Sequence, residues 1–286
     1  MKDSDRFIPF ENLPDRFVES LERISEPPVA PRPAATIVLM RDVEPGIEIL
    51  LLKRSRSAGF VPGAYVFPGG RVDASDATED TLSRMDGLTP EAAAERLELP
   101  NADPPAIAYY LAALREAFEE TGILIGSGPD GEPPRTAAAD PTVDAVRDDL
   151  MEDRVTFAEV LDRLQCRIDG TSVEYLAHWV TPLPEPRRFD TRFFAARVPA
   201  GSEPIVDPRE MTDALWIAPA DALERSDNGE LPMIFPTIKT LEHLSDYATP
   251  EEAITALAAL SVRTIMPTLI VTDTGVRLVV DDDDLE

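Results

Sequence analysis

The interpretation of this sequence depends most on one segment, Arg115-Glu116-Ala117-Phe118-Glu119-Glu120-Thr121-Gly122-Ile123. It ends the most periodic stretch of the chain, which predicts a helix over residues 105–121. One side of this helix carries an apolar stripe that faces a core: Ile107, Leu111, Leu114 and Phe118. Glu116, Glu119 and Glu120 share the opposite side, where like charges repel. The pattern indicates either a solvated acidic face or a divalent-cation site, because carboxylate oxygens suit Mg²⁺ and Mn²⁺.

A second segment, Phe67-Pro68-Gly69-Gly70, lies upstream, and its paired glycines let the backbone approach a metal ion or a phosphate closely. Together the two segments resemble the Nudix box, G-x5-E-x7-R-E-U-x-E-E-x-G-U, where U is apolar. The helix segment matches every fixed position except one apolar position, which Ala117 fills. The first half of the box differs from the pattern in two ways. Asp76 stands where the pattern has glutamate, and residues 77–114 separate Asp76 from Arg115, whereas the pattern has only seven residues between these positions. This departure leaves the role of Asp76 open.

The resemblance to Nudix hydrolases implies a fold and a domain organisation. The expected fold is α+β or mixed α/β, a Nudix-type α/β/α sandwich with a mixed sheet and a helical insertion at about residues 77–104. An N-terminal arm at residues 1–33 precedes the Nudix domain, expected at residues 34–262. C-terminal strands and an acidic tail occupy residues 263–286.

The resemblance also implies roles for individual residues. The expected ligands of Mg²⁺ or Mn²⁺ are Glu116, Glu119, Glu120, Gly70 through its carbonyl, and, more weakly, Glu210. Arg115 is expected to hold a glutamate in its coordinating orientation through a bidentate salt bridge. Asp207 is a further weak candidate for a ligand or general base. Each acid could instead belong to an ordinary solvated face.

Residues 50–70 are similar to the signature of coenzyme-A-specific Nudix enzymes, roughly L-L-T-x-R-S-x3-R-x3-G-x3-F-P-G-G. Two positions depart from it, since Leu52 stands for the threonine and Gly59 for the second arginine. Interrupted boxes are typical of the branch that contains peroxisomal CoA diphosphatases. The residues expected to contact substrate on this basis are Arg54, Phe67, Gly69 and Gly70. The alternative for Arg54 is a solvent-facing arginine at a strand end.

The segment Arg187-Arg188-Phe189-Asp190-Thr191-Arg192-Phe193-Phe194 also resembles that branch. Arg188 and Arg192 form a dense basic pair in an acidic protein, and guanidinium groups suit phosphates. Both are therefore expected to bind substrate. The alternative is an edge strand in which arginine pairs with Asp190.

Three functions remain open from the sequence. The first is metal-dependent hydrolysis of a diphosphate bond in a nucleoside-diphosphate-linked substrate, with CoA or acyl-CoA as the expected compound. The second is an ADP-ribose or NADH diphosphatase, which the departures at Leu52 and Gly59 favour. The third is a Nudix sensor that binds a nucleotide without hydrolysis, against which the intact glutamate triad argues.

Composition narrows the classes of partner. The chain has 286 residues, and 27 Lys and Arg against 54 Asp and Glu give a formal net charge of −27. This charge opposes broad binding to nucleic acid or anionic membranes. No stretch approaches the roughly 18 apolar residues of a membrane span, and the single cysteine, Cys166, allows no internal disulfide. We expect a cytoplasmic protein that acts on a small nucleotide diphosphate, with a homodimer as an open expectation from the resemblance.

Apolar patterning predicts the remaining elements. Phe7, Phe10, Leu13, Phe17 and Leu21 are spaced for a short helix in the arm. A hairpin is predicted at residues 34–54, turning at Pro45-Gly46, and a short strand at residues 123–125. Further helices are predicted at residues 79–85, 89–99, 141–152, 156–165, from 219, 233–247 and 250–260, and strands at 174–181, 189–198, 211–217 and within 264–280.

Overall fold

A computed structural model describes residues 5–10, 29–56, 62–183, 185, 187–199 and 201–280. Its main sheet has eight strands: β2 (Arg32–Asp42), β3 (Ile47–Arg54), β4 (Tyr65–Val66), β5 (Gly69–Arg71), β8 (Val173–Val180), β9 (Phe189–Arg197), β10 (Met211–Ile217) and β11 (Thr264–Ile265). The sheet runs in the order β10-β3-β2-β9-β8-β11, with β4 paired to β3 and β5 paired to β2. Parallel pairs β2–β9 and β8–β11 join antiparallel neighbours, so the sheet is mixed, as expected.

Strand β2 lies inside this sheet and is apolar on both faces. It pairs in parallel with β9, where Ala35 lies opposite Arg192, and antiparallel with β5, where Ala35 lies opposite Gly70. The predicted hairpin to β3 is confirmed, since Met40 pairs with Ile49 and the Val43 N–H donates to the Gly46 carbonyl at 3.1 Å. Side chains that alternate along β2 enter two separate cores, one on each face of the sheet.

Helices cover both faces and complete the expected α/β/α sandwich. One core packs the sheet against α2 (Pro90–Arg96), α3 (Ala106–Thr121), α4 (Pro141–Met151) and α5 (Phe157–Arg163). The other packs it against α6 (Pro219–Asp227), α7 (Phe235–Leu244) and α8 (Pro250–Ala258). The predicted apolar stripe of α3 is confirmed: Ile107, Leu111, Leu114 and Phe118 are all buried.

The stretch between Asp76 and Arg115 folds against the body. It contains α1 (Glu79–Leu82), the short strand β6 (Met85–Asp86) and α2, and β6 pairs with β7 (Ile168–Asp169). The first helix is therefore shorter than predicted, because its last residues pair as a strand. Arg96 of α2 donates to the carbonyls of Leu257 and Leu260, both at 2.7 Å, and ties this stretch to α8 and the loop after it.

Two predicted elements are wrong. Asp5–Pro9 of the arm is strand β1 rather than part of a helix, and it pairs with β13 (Gly275–Val279), which also pairs with β12 (Thr268–Val271). Phe7 lies within this strand and is 46% exposed. Leu13, Phe17 and Leu21 of the predicted helix lie outside the described residues.

Residues 123–125 form a buried loop rather than a strand. A short run of apolar residues can form either a strand or a buried loop, so the run alone does not determine the secondary structure. Within the described part of the chain, no helix has the length and apolar character that crossing a bilayer requires.

Candidate active site

The C-terminal end of α3 builds the site. The helix ends at Gly122, whose φ of 68° is left-handed and whose N–H donates to the Phe118 carbonyl at 2.8 Å. Glu119 and Glu120 lie in the last turn, which contains no basic residue. The helix dipole places negative charge at this end, so two carboxylates here need positive charge from elsewhere.

Arg115 supplies part of that charge. Its side chain is buried, and its Nη1 donates to Glu116 Oε1 at 3.0 Å and to Glu119 Oε1 at 3.2 Å. The expected bidentate bridge from Arg115 exists, but its partner is Asp76 rather than a glutamate. Nε donates to Asp76 Oδ1 at 2.6 Å and Nη2 to Oδ2 at 3.2 Å. Arg115 therefore fixes two glutamates through single contacts while Asp76 fixes the guanidinium.

Asp76, whose role the sequence left open, is thus part of the site. It is 2% exposed and also accepts a hydrogen bond from the Asp73 N–H at 2.7 Å. Burial raises its pKa, against the hydrogen bond and charge of Arg115. The fixed spacing of the Nudix box conceals this pair, because the inserted residues lie between its two members in sequence but not in space.

The glycine pair lies against the glutamates. The Gly69 N–H donates to Glu120 Oε2 at 3.0 Å. A Cβ at Gly70 would lie 2.2 Å from Glu116 Oε1, so no side chain fits at this position. Strand β5 therefore presents backbone, rather than side chains, to the glutamates.

A cleft opens beside these groups. The residues that line it are Glu116, Glu119, Glu120, Met151, Asp207, Glu210 and Met211. Both weak acidic candidates, Asp207 and Glu210, are thus brought to the triad. Asp207 accepts hydrogen bonds from Arg209 Nε at 2.8 and 3.0 Å, which lower the Asp207 pKa. Glu210 is exposed, and its carbonyl accepts from the Ser55 N–H at 2.8 Å, which holds it beside the end of β3.

The cleft holds more negative than positive charge. Burial raises the pKa of Glu116 to about 7, although Arg115 opposes the shift. Burial likewise raises the pKa of Glu119. For Glu120, burial and then the charge of Glu116 raise the pKa well above its usual range, while Gly69 and Arg54 oppose this. These partly buried carboxylates outnumber the nearby cationic groups, so a bound cation would relieve their repulsion.

The donor set fits a hard divalent cation in its chemistry. Carboxylate oxygens and a glycine carbonyl are the ligands that Mg²⁺ and Mn²⁺ prefer. No group of three acidic, histidine or cysteine side chains in the described ranges is already gathered around one point. Arg115 instead holds Glu116 and Glu119, while Glu120 is held by backbone. The glutamates thus line the cleft, but their side chains do not converge on a single point.

Two predicted substrate contacts from the CoA signature lie in different surroundings. Arg54 ends β3 close enough to Glu120 for its charge to oppose the rise in the Glu120 pKa, and it pairs in register with Met211 of the cleft. Phe67 is buried in the core on the α6–α8 side and meets Phe193 edge-on, with ring centroids 6.4 Å apart. Leu52, where the signature has threonine, is fully buried, and Gly59 lies outside the described residues.

Arg188 and Arg192 are not among the residues that line the cleft. Arg192 is buried, forms an ion pair with Asp190, and lies over the Tyr109 ring at 5.3 Å. Arg188 is also buried and donates to the Thr181 and Val29 carbonyls. The structure therefore places this basic pair apart from the glutamates, and the predicted Arg–Asp pairing within β9 is present.

Sequence reasoning missed Arg147 of α4. It is 3% exposed, and its Nε donates to the Glu119 carbonyl at 2.8 Å, which satisfies one of the last carbonyls of α3. Its Nη1 lies 3.7 Å from Asp144 Oδ1. The sequence does place Arg147 on the apolar side of an amphipathic helix, which is unusual for an arginine. The spacing of apolar residues does not show, however, that this arginine contacts α3.

Comparison with known proteins agrees with this geometry. The family model described as the NUDT19 Nudix domain matches residues 30–244. The chain is similar to the human acyl-coenzyme A diphosphatase NUDT19, with 29% identity over 78% of this chain and 64% of that protein. It is 26% identical to the Xenopus laevis acyl-coenzyme A diphosphatase NUDT19 over 72% of this chain and 61% of that protein. The chain thus spans less than two thirds of the length of these curated relatives.

A solved structure carries the same fold. The crystal structure of a Nudix hydrolase from Alicyclobacillus acidocaldarius is 31% identical, with a TM-score of 0.68, and the match covers 82% of this chain and 99% of that one. The family match covers the glycine pair, α3 and every strand of the main sheet except β11. The chain belongs to the NUDT19 Nudix domain family.

Proposed function

We propose that this chain hydrolyses the diphosphate bond of CoA or an acyl-CoA in a reaction that depends on a divalent metal. Water adds across the phosphoanhydride, and the products are adenosine 3′,5′-bisphosphate and 4′-phosphopantetheine or its acyl form. The observation that carries the proposal is the end of α3, where three partly buried glutamates meet a glycine backbone at one cleft. The names of the human and Xenopus laevis relatives support the choice of substrate.

Nudix hydrolases generally need a divalent metal, and we propose Mg²⁺ or Mn²⁺. Glu116, Glu119, Glu120 and the Gly70 carbonyl would hold the metal, with Glu210 as a further ligand. When bound, such an ion offsets charge on the diphosphate oxygens and lowers the pKa of a bound water. These ligand assignments rest on the donor chemistry and on the excess of negative charge around the cleft.

The protein's own groups prepare this site. Arg115 holds Glu116 and Glu119 in place, and Asp76 prevents the guanidinium from turning away. The absence of a side chain at Gly70 lets the Glu116 carboxylate approach the backbone of β5. We propose that Arg54, at the cleft edge, contacts a substrate phosphate, because a guanidinium binds phosphate oxygens at fixed geometry. The substrate roles of Phe67, Arg188 and Arg192 stay predictions.

The test is mass spectrometry of products formed from CoA, acetyl-CoA, ADP-ribose and NADH with Mg²⁺ or Mn²⁺. We expect adenosine 3′,5′-bisphosphate from the CoA compounds and little AMP from the other two. AMP from ADP-ribose or NADH alone would retain the metal site and overturn the CoA assignment. Turnover without added metal after chelation would overturn the metal dependence. No product from any substrate would favour a nucleotide sensor.

A further inference from the structure

Arg147 of α4 is a buried cation with few partners. It is 3% exposed and lies on the side of the helix that buries Val146 and Leu150. Its Nε donates to the Glu119 carbonyl at 2.8 Å, and its Nη1 lies 3.7 Å from Asp144 Oδ1. Its Nη2 is buried and has no hydrogen-bond partner among the described residues. Burying a cation with so few partners costs free energy, so packing alone would favour an apolar side chain here.

The charges around Arg147 belong partly to the cleft. Burial lowers the pKa of its guanidinium, although four acidic neighbours oppose the shift: Asp144, Asp148, Asp207 and Glu119. Two of these neighbours, Asp207 and Glu119, line the cleft, and so does Met151, one turn further along the same side of α4. Arg147 itself is not among the lining residues. It therefore lies behind the wall of the cleft, where it can hold that wall in place.

Hydrogen bonds to main-chain carbonyls hold the C-terminal end of α3. The Gly122 N–H donates to the Phe118 carbonyl, and the Ile205 N–H donates to the Thr121 carbonyl, both at 2.8 Å. Arg147 donates to the Glu119 carbonyl between them. These carbonyls have no partner within the helix, so each needs a donor from elsewhere. Of these three bonds, the one from Arg147 comes from a side chain, and a substitution can therefore remove it without changing the backbone.

Glu119 is held differently from the other two glutamates. The backbone of β5 lies against Glu116 and donates to Glu120. Glu119 is bound by two arginines: its carboxylate accepts from Arg115 Nη1 at 3.2 Å, and its carbonyl accepts from Arg147 Nε at 2.8 Å. Arg115 belongs to α3 and moves with it, whereas Arg147 belongs to α4. Arg147 thus fixes the main chain from which the Glu119 side chain projects.

We infer that Arg147 is a positioning residue for the reaction, which orients Glu119 for metal binding by holding its carbonyl. The inference rests on the proposed function, because it takes Glu119 to be a metal ligand. Loss of a group that orients a ligand typically weakens metal binding or turnover about 10–100-fold. Because Arg147 holds the carbonyl rather than the carboxylate, it does not compete with a cation for the carboxylate oxygens.

Two substitutions of Arg147 form a matched pair. Counted along the side chain, methionine Cε and glutamine Nε2 both take the place of arginine Nε, but only glutamine offers an N–H donor there. Arg147→Met and Arg147→Gln remove the same charge, so any electrostatic effect on cation binding is common to both. We expect the Kd for Mn²⁺ to be about tenfold higher in Arg147→Met than in Arg147→Gln. Titration of the full chain with Mn²⁺, followed by electron paramagnetic resonance, measures this difference without substrate.

Kinetics with CoA at one subsaturating Mn²⁺ concentration provide a second readout. We expect kcat to be about tenfold lower in Arg147→Met than in Arg147→Gln, with the same KM for CoA in both. Arg96→Met is the control, because Arg96 also donates to main-chain carbonyls, those of Leu257 and Leu260, but does not line the cleft. It should leave the Kd for Mn²⁺ at the wild-type value.

The outcomes separate this inference from the proposed function. Equal Mn²⁺ affinity in Arg147→Met and Arg147→Gln would overturn the inference, since the donor at this position would then have no effect. Binding about tenfold weaker in Arg147→Gln than in wild type would also overturn it, and this comparison holds even where Arg147→Met fails to fold. A wild type that binds Mn²⁺ but leaves CoA intact would overturn the proposed function alone. A wild type that binds no Mn²⁺ would overturn both.

Discussion

Two clusters of charged side chains lie on the α3 face of the sheet and differ in their balance of charge. The glutamate cluster consists of Asp76, Arg115, Glu116, Glu119 and Glu120. Three of its carboxylates share Arg115, and Glu120 accepts a hydrogen bond from the Gly69 N–H. The histidine cluster consists of His178, Asp190, Arg192 and Thr264, where one carboxylate meets an arginine and a histidine.

The pKa shifts of the two clusters run in opposite directions. Burial works to raise the pKa of Asp190, but the hydrogen bond from His178 and the charge of Arg192 outweigh it, and the pKa falls. Burial raises the pKa of Glu116 to about 7 in spite of Arg115. A cluster that satisfies its own charges holds strands together, whereas one that lacks positive charge is prepared for a ligand. The predictions below test this distinction.

Glu119→Gln should have the largest effect. We expect kcat to fall about a thousandfold, because a metal ligand contributes several kcal/mol to transition-state stabilisation. The free energy of unfolding of the metal-free protein should stay constant or rise, since the change removes a partly buried negative charge from a group of like charges. Steady-state kinetics and urea denaturation measure the two quantities. Glu224→Gln on α6, at an exposed position, is the control, and retained turnover in Glu119→Gln would contradict the ligand assignment.

Arg115→Met should destabilise the fold by about 3 kcal/mol, because it leaves the buried Asp76 carboxylate without its partner. Urea denaturation measures this loss. The double variant Arg115→Met with Asp76→Leu should recover stability but not turnover. Recovery of both would show that the pair has no role in holding the glutamates.

Gly70→Ala tests how closely backbone and glutamate approach. The new Cβ would meet Glu116 Oε1, so we expect kcat/KM to fall between about tenfold and a hundredfold through displacement of the carboxylate. Gly201→Ala is the matched control, because no atom of the described residues beyond its chain neighbours lies within 4 Å of a Cβ there. The same loss in both variants would show that the close contact at Gly70 does not matter.

Asp190→Asn should have the smallest effect. We expect a loss of about 1.5 kcal/mol in the free energy of unfolding, at the low end for a charged hydrogen bond because the Asp190 side chain is 30% exposed. Thermal and urea denaturation measure it, and kcat should stay at the wild-type value. A rise in KM for CoA without loss of stability would instead favour a substrate role for Arg192, which Asp190 holds.

Periodicity predicted most of the fold. The hairpin of β2 and β3, the long helix α3, and strands β8, β9 and β10 lie within a few residues of their predicted positions. Each has a local cause, such as an apolar stripe, alternation along a strand, or a turn at Pro45-Gly46. The glutamate triad was predicted as a group for the same reason, since helical spacing alone places its members on one side.

Contacts between distant segments were not predicted. The pairing of Asp76 with Arg115 crosses the inserted residues, and Arg147 reaches α3 from a separate helix. Strand β1 was mistaken for a helix because its partner lies at the other end of the sequence. Spacing within a motif carries no information about such contacts, which depend on how whole elements pack.

The pairing of β1 with β13 has a consequence for synthesis of the chain. Asp5 lies opposite Val279, so the first described strand cannot pair until the last described strand has left the ribosome. At roughly 5–20 residues per second, this wait lasts on the order of 15–60 s. During that time β1 exposes an unpaired edge, which is open to misassociation with other chains. Translation speed should therefore affect the yield of native protein, while the main sheet can form before β1 docks.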